Sequence, residues 1–220
     1  MSKIRIKICC ISSIEEAKLA IKYGADALGF VSAMPSGAGI IDEELIPEIV
    51  SIVPPPIATF LLTSLTNADE IITQIIRCKT NTVQLVDTVE QIVYHKIHRE
   101  LPWIKIVQVI HINDMHSIKE AESVSPCVDA LLLDSGNQSL PVKELGGTGR
   151  VHDWSISKII CEKIDKPVFL AGGLNAGNVE EAIKTVRPFG VDVCSGLRTN
   201  KHLDEDKLKL YIKHVKHAER

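Results

Sequence analysis

The sequence predicts an α/β fold, a single-domain (β/α)8 TIM barrel that takes in residues 1–220. Short β-branched apolar runs alternate along the whole chain with longer amphipathic stretches, which is typical of α/β architecture. The short runs are apolar at nearly every position, as in strands of a parallel sheet that is buried on both faces. Eight such pairs in 220 residues favour a closed barrel over an open doubly wound sheet of about five or six strands.

The alternation assigns each element in turn. The predicted strands are Ile4–Cys9, Ala27–Val31, Ile57–Leu62, Thr82–Leu85, Lys105–Ile110, Ala130–Asp134, Val168–Leu170 and Val191–Val193. The predicted helices are Ile14–Tyr23, Asp42–Ile52, Asn67–Cys78, Thr88–Glu100, His116–Val124, Trp154–Lys163, Val179–Val186 and Leu203–His217. No linker, low-complexity segment or change of composition divides the chain, so we expect one domain.

The composition excludes several classes of function. The net charge is −3 and the pI about 6.2, so no basic excess attracts nucleic acid or an anionic membrane. The N-terminus lacks the apolar segment of a signal peptide, and no stretch approaches the roughly 18 apolar residues that span a bilayer. The six cysteines include no C-x-x-C spacing, which argues against a structural zinc site and favours free thiols in the cytoplasm.

Functional groups of a (β/α)8 barrel lie where its strands end and in the loops that follow. This rule selects Cys9 at the end of strand 1, His111 after strand 5 and Asp134 at the end of strand 6. The alternative for Cys9 is a small buried hydrophobe, and the alternative for Asp134 is a carboxylate that caps the following loop. A buried charge without a partner is costly, so Asp134 is a candidate for chemistry. His111 is a candidate for a substrate contact.

Small-residue loops follow the last three predicted strands. They contain Gly147 and Gly149 after strand 6, Gly172 and Gly173 after strand 7, and Ser195-Gly196 after strand 8. Glycine has no Cβ, so backbone N–H groups in these loops can face an anion, and loops after strands 7 and 8 are the recurrent phosphate site of this fold. The alternative is that the glycines only shape tight turns. Three such loops at successive strand ends favour phosphate binding.

Nine segments, spread over nearly the whole chain, form a further pattern. They are Lys7-Ile8-Cys9, Gly24-Ala25-Asp26-Ala27-Leu28-Gly29-Phe30-Val31, Val83-Gln84-Leu85, Leu132-Leu133-Asp134-Ser135, Gly146-Gly147-Thr148-Gly149, Asp153-Trp154, Leu170-Ala171-Gly172-Gly173-Leu174-Asn175, Val186-Arg187-Pro188-Phe189-Gly190-Val191-Asp192-Val193 and Ser195-Gly196. In order and spacing the pattern resembles the phosphoribosylanthranilate isomerase family of tryptophan biosynthesis.

The resemblance implies an Amadori rearrangement that converts the aminoaldose N-(5-phosphoribosyl)anthranilate into an aminoketose. It implies that Asp134 donates a proton to the furanose ring oxygen and that Cys9 removes the C2′ proton. The substrate is then a small phosphorylated aminosugar, and neither a metal nor an organic cofactor is needed. The residues that would surround the phosphate are Gly147, Thr148, Gly149, Gly172, Gly173, Asp192, Ser195 and Gly196.

The chain departs from the family pattern around the expected barrel mouth. Cys10 replaces a glycine, Val86 a histidine and Arg198 an acidic residue. The loop after strand 2, Met34-Pro35-Ser36-Gly37-Ala38-Gly39, lacks the arginine that the family places against the anthranilate carboxylate.

The missing arginine leaves the partner of the carboxylate open. His111, Arg150 and Arg198 are the candidates for a relocated contact. One alternative is a related isomerase that acts on a different phosphorylated aminosugar. Another is a phosphometabolite-binding barrel without turnover, although retention of both Cys9 and Asp134 argues against it. The sequence does not determine the oligomeric state.

Overall fold

Eight parallel strands close into a barrel in the computed structural model of the chain, which describes residues 3–35, 39–136, 143, 145 and 149–219. Each strand pairs with the next along the chain, and the eighth pairs with the first to complete the ring. The strands are β1 (Arg5–Ile8), β2 (Ala27–Val31), β3 (Ala58–Thr63), β4 (Thr82–Leu85), β5 (Lys105–His111), β6 (Ala130–Asp134), β7 (Val168–Leu170) and β8 (Gly190–Val193). This order confirms the predicted (β/α)8 barrel.

A helix follows each strand and packs on the outside of the barrel. The helices are α1 (Ile14–Tyr23), α2 (Leu45–Ser51), α3 (Ala68–Cys78), α4 (Gln91–Glu100), α5 (His116–Val124), α6 (Trp154–Lys163), α7 (Val179–Val186) and α8 (Glu205–Ala218). Side chains of Ser13, Asn67, Asp153 and Asp204 accept backbone N–H groups in the first turns of α1, α3, α6 and α8. These caps set where the four helices begin. No helix in the described part of the chain is both long and apolar enough to cross a membrane.

Three helix starts differ from the predictions by two or three residues, for local reasons. Helix α4 begins after Glu90, whose ψ of 151° is extended rather than helical. Ahead of α2, Asp42 accepts the N–H of Glu44 in a turn that hydrophobic periodicity does not distinguish from a helix. Before α8, the strands β9 (Arg198–Thr199) and β10 (His202–Leu203) form an antiparallel hairpin, and two residues are too few to show an alternating pattern.

Two apolar layers lie on either side of the strands. The outer layer, between strands and helices, contains Ile8, Leu28 and Tyr211, all fully buried. The inner layer fills the barrel, where the rings of Phe60 and Phe169 meet edge to face with centroids 5.9 Å apart. Because the interior is packed, a substrate is confined to the end of the barrel.

One ion pair is built into the inner layer. Nζ of Lys7 lies 2.9 Å from Oδ1 of Asp192, and Lys7 has no exposure to solvent. The two residues are partners in the β1–β8 register, the seam that closes the barrel. Nζ also lies 5.1 Å from the ring centroid of Phe60. Burial by itself lowers the pKa of Lys7, but Asp192 raises it above the usual value, so the ammonium keeps its charge at neutral pH.

Candidate active site

The mouth of the barrel brings together three residues that the sequence singled out. Cys9 follows β1, while His111 and Asp134 end β5 and β6. Cys9 and His111 are buried, Asp134 is half-buried, and His111 is the partner of Asp134 in the β5–β6 register. Strands β7 and β8 separate β6 from β1 in the ring, so a molecule across the mouth can meet Asp134 on one side and Cys9 on the other.

Asp134 has the environment of a proton donor. Burial raises the pKa of its carboxyl, and the neighbouring charge of Asp192 acts in the same direction. The N–H of Ser135, which donates to Oδ1 at 2.7 Å, and the nearby His111 oppose the rise without cancelling it. The neutral, protonated form is therefore favoured more strongly than in an exposed aspartate, and that form can give up a proton.

Gly172 allows the loop after β7 to close over this acid. Its φ is +80°, and a Cβ placed on it would lie 3.3 Å from Oδ1 of Asp134 and 2.9 Å from Nδ1 of His152. Burial lowers the pKa of His152 to about 4, so its imidazole is neutral, and Nε2 lies 2.7 Å from Oγ of Ser157. The ring of His152, ahead of α6, therefore lies beside the glycine that borders the acid.

Cys9 lies beside a buried cation that sequence reasoning did not select. A Cβ placed on Gly29 would lie 2.9 Å from Sγ of Cys9 and 3.1 Å from Nζ of Lys7, so the two atoms are within about 6 Å of each other. The thiolate is the form of cysteine that accepts a proton, so the Cys9 side chain is the candidate base of the mouth. The signal in the sequence is the spacing, because a residue two positions before the cysteine along a strand lies on the same face of the sheet.

Cys10 adds a second thiol to the mouth. It has a φ of +62°, the left-handed conformation that accounts for a glycine at this position in the family pattern. Hydrogen bonds to Cys194 and Cys9, together with burial, raise the pKa of the Cys10 thiol. The hydrogen bond from Cys10 lowers the pKa of Cys194. Gly39 packs directly on Cys10, since a Cβ there would lie 2.9 Å from its Sγ.

The loops after β6, β7 and β8 converge beside the acid. A Cβ on Gly149 would lie 3.6 Å from Oγ of Ser195, and one on Gly173 would lie 2.8 Å from the carbonyl oxygen of Arg150. Gly196 is equally crowded, against the backbone of the β7 loop. Within the described ranges, no hydrogen bond is recorded for the N–H groups of Gly173, Ser195 and Gly196. Gly147 and Thr148 lie outside the described residues.

Two residues of the predicted site have charged partners elsewhere. The carboxylate of Asp192 pairs with Lys7 inside the barrel, and a carboxylate would in any case repel a phosphate. The guanidinium of Arg198 pairs with Glu16, with Nη1 3.0 Å from Oε1, and both side chains are about one-tenth exposed. We therefore leave Asp192 out of the phosphate site and Arg198 out of the carboxylate site.

His111 and Arg150 remain at the mouth. The Nε2 atom of His111 lies 3.0 Å from the carbonyl oxygen of Val86, which makes Nε2 the donor and Nδ1 an acceptor. That Nδ1 is buried and has no partner among the residues that the structure describes. Arg150 is exposed, and its Nη2 lies 3.5 Å from the carbonyl oxygen of Ser135, directly after Asp134.

Comparisons with known proteins show the family of the chain. The profile of the family described as N-(5'phosphoribosyl)anthranilate (PRA) isomerase matches residues 6–214. The chain is 39% identical to N-(5'-phosphoribosyl)anthranilate isomerase 2 of Methanosarcina mazei, over 97% of this chain and 94% of the relative. It superimposes on the crystal structure of phosphoribosyl anthranilate isomerase from Thermotoga maritima with a TM-score of 0.84 and 29% identity, covering 97% of this chain and 99% of that one.

A further solved structure carries a ligand. It is a phosphoribosyl anthranilate isomerase in complex with reduced 1-(o-carboxyphenylamino)-1-deoxyribulose 5-phosphate. The superposition gives a TM-score of 0.81 with 27% identity, over 97% of this chain and 99% of that one.

The raised pKa of Asp134 predicts a pH-dependent effect of Asp134→Asn on stability. A group with a raised folded-state pKa contributes stability at low pH and loses it as pH rises through that pKa. Asparagine keeps the acceptor for Ser135 but has no proton to lose. The melting temperature of Asp134→Asn minus that of the wild type should therefore increase as pH rises from about 4 to 8. The increase should begin near the ordinary aspartate pKa.

Exposed Asp165 supplies the control, because Asp165→Asn should leave the difference in melting temperature unchanged over the same pH range. If the melting temperature of the wild type instead rose relative to that of Asp134→Asn with increasing pH, the charged form of the carboxyl would be the stabilised one. The assignment of Asp134 as proton donor would then be wrong.

Proposed function

The chain belongs to the N-(5′-phosphoribosyl)anthranilate isomerase family, and we propose that Cys9 and Asp134 carry its aldose–ketose isomerisation. The observation that supports this assignment best is that a carboxyl with a raised pKa and a thiol meet at one barrel mouth from different strands. The carboxyl of Asp134 ends β6, and the thiol of Cys9 follows β1 within about 6 Å of the buried ammonium of Lys7. A carboxyl that is favoured in its protonated form is suited to be the acid, which leaves the thiol as the base.

The chemistry assigns one proton transfer to each residue. The carboxyl of Asp134 gives its proton to the furanose ring oxygen while the C1′–O bond breaks and the nitrogen lone pair forms a C=N bond. The thiolate of Cys9 then removes the C2′ proton, the electrons of that C–H bond form the C1′=C2′ bond, and the C=N pair returns to nitrogen to give an enolamine. The enolamine takes up a proton at C1′ and loses the proton of its C2′ hydroxyl, which gives the ketone, so no atom is lost and no external oxidant is needed.

The backbone supports a phosphate site beside this pair. The N–H groups of Gly173, Ser195 and Gly196, unpaired within the described ranges, converge with Gly149, and an anion can accept several of them at once. Gly147 and Thr148 stay part of the proposal on the resemblance alone. The close backbone contacts of Gly173 and Gly196 give these residues a packing role as well.

Arg150 is the cation that we assign to the anthranilate carboxylate. It is exposed at the mouth, next to the backbone of Ser135, and Arg198 lies in an ion pair with Glu16 further from solvent. The Nδ1 atom of His111 has no partner among the described residues and is suited to a hydrogen bond with a hydroxyl or amine of the substrate. A thiol base needs a reducing compartment, which supports a cytoplasmic location.

Turnover of N-(5-phosphoribosyl)anthranilate by the purified chain tests the function. The wild type should isomerise it, and Cys9→Ala should lower kcat by about 10²- to 10⁴-fold with little change in KM, the usual cost of losing a general base. Cys127→Ala, on the far side of the outer layer, should keep full activity. Absence of turnover by the wild type would overturn the function, and full turnover by Cys9→Ala would overturn only the role of the thiol.

The phosphate site is tested by a pair of variants that differ in charge. Ser195→Asp places a carboxylate where the phosphate is proposed to lie, and Ser195→Asn is its neutral match. KM should rise about 10- to 150-fold more in Ser195→Asp than in Ser195→Asn, because a charged hydrogen-bonding partner contributes about 1.5–3 kcal/mol. Equal KM values would move the phosphate away from Ser195.

The carboxylate partner is tested by comparing the anthranilate substrate with its aniline analogue. The wild type should prefer anthranilate in kcat/KM by about 10- to 150-fold, and Arg150→Ala should lose that preference. Arg99→Ala, at an exposed position on α4, should retain it. A preference that survives Arg150→Ala would exclude this arginine as the partner.

A further inference from the structure

The turn that follows Cys9 adopts a conformation that its sequence disfavours. Cys10 has a φ of +62°, and a residue with a Cβ is rare in this left-handed region. The backbone is pinned on both sides, since the N–H of Cys9 donates to Val193 at 2.9 Å and that of Ile11 donates to Gly29 at 2.9 Å. The carbonyl groups of Cys9 and Cys10, between these anchors, determine the direction of the turn.

Arg198 binds both of these carbonyl groups. Its Nη2 donates to the carbonyl oxygen of Cys9 at 3.4 Å and to that of Cys10. Its Nη1 donates at 2.9 Å to the carbonyl oxygen of Lys201, in the turn between β9 and β10. The Arg198 side chain therefore links the backbone at the proposed base, Cys9, to the β9–β10 hairpin.

Glu16 holds Arg198 in place. Its carboxylate accepts Nη1 at 3.0 Å on one oxygen and Nη2 at 3.2 Å on the other, a two-point pairing. The same carboxylate accepts the N–H of Ser12 at 3.0 Å and that of Leu203 at 2.8 Å. Burial raises the pKa of Glu16, but Arg198 and the N–H groups outweigh it and hold the pKa below the usual value.

We infer that Arg198 is a positioning residue: with Glu16 it holds the Cys9–Cys10 turn in the left-handed conformation and so fixes the direction of the Cys9 thiol. The inference rests on the proposed role of Cys9. It also explains two departures together, because a left-handed turn without glycine needs an external support, and Arg198 supplies it.

The size of the effect follows from the conformational preference. A residue with a Cβ is disfavoured in the left-handed region by about 5- to 30-fold. Without the clamp formed by Arg198 and Glu16, the fraction of molecules with a correctly directed Cys9 thiol should fall by that factor, and kcat should fall with it. Glycine carries no such preference, so the loss should disappear in a Cys10→Gly background.

The experiment is a mutant cycle in three backgrounds. Arg198→Met should lower kcat about 5- to 30-fold in the wild type with KM unchanged, and by less than about threefold in Cys10→Gly. Cys10→Ala is the matched control because it removes the thiol but keeps the Cβ. In that background Arg198→Met should cost as much as in the wild type. Glu16→Gln, which keeps the shape of the clamp but removes its charge, repeats the cycle if Arg198→Met does not fold.

A second readout keeps this inference separate from the role of Cys9. The rate at which iodoacetamide alkylates Cys9, followed by peptide mass mapping, should differ between Arg198→Met and the wild type. In the Cys10→Gly background, Arg198→Met should leave this rate at the value of Cys10→Gly alone. A rise in KM with constant kcat would make Arg198 a substrate contact and overturn the inference. So would equal losses in all three backgrounds, or an alkylation rate that Arg198→Met leaves unchanged.

Discussion

The barrel depends on a lysine ammonium that is enclosed on every side. Lys7 and Asp192 join the first strand to the last, at the seam where the ring closes. A buried charge whose partner is removed costs about 3–5 kcal/mol, a large part of the stability of a domain. The same ammonium lies within about 6 Å of the Cys9 thiol and lowers the pKa of Asp134 against the effect of burial. The ion pair of Lys7 and Asp192 therefore closes the barrel and also contributes to the electrostatics of the site.

The strands could be predicted from the sequence wherever they are buried on both faces. Ala27–Val31 and Ala130–Asp134 have the predicted bounds because a continuous apolar run has sharp ends, marked by polar residues and turns. The starts of α2 and α4 could not be predicted as well, since acidic and hydroxyl residues ahead of a helix suit a turn as well as a first helical turn. At the side-chain caps Asn67 and Asp153, the predicted helix start lies within one residue of the observed one.

The candidate site was predictable as far as position along a strand decides it. Cys9 and Asp134 were found because strand ends point into the mouth. Lys7 was not selected because a lysine in a strand usually indicates a solvent-exposed position. Only the closed ring shows that this position faces the interior of the barrel. The clamp of Glu16 and Arg198 joins residues 182 positions apart, a separation that no local pattern bridges. Asp192 was placed with the phosphate because it lies two residues before Cys194 and the small-residue loop, although its side chain faces Lys7.

The contact between Gly39 and Cys10 couples the loop after β2 to the turn after β1. The side chain of Cys10 fills the space that a Cβ at position 39 would need, and the φ of Gly39 is itself +80°. In this backbone, a side chain at position 39 and a side chain at position 10 therefore exclude each other. The two positions can be varied only together, so any redesign that introduces a side chain at position 39 has to begin with glycine at position 10.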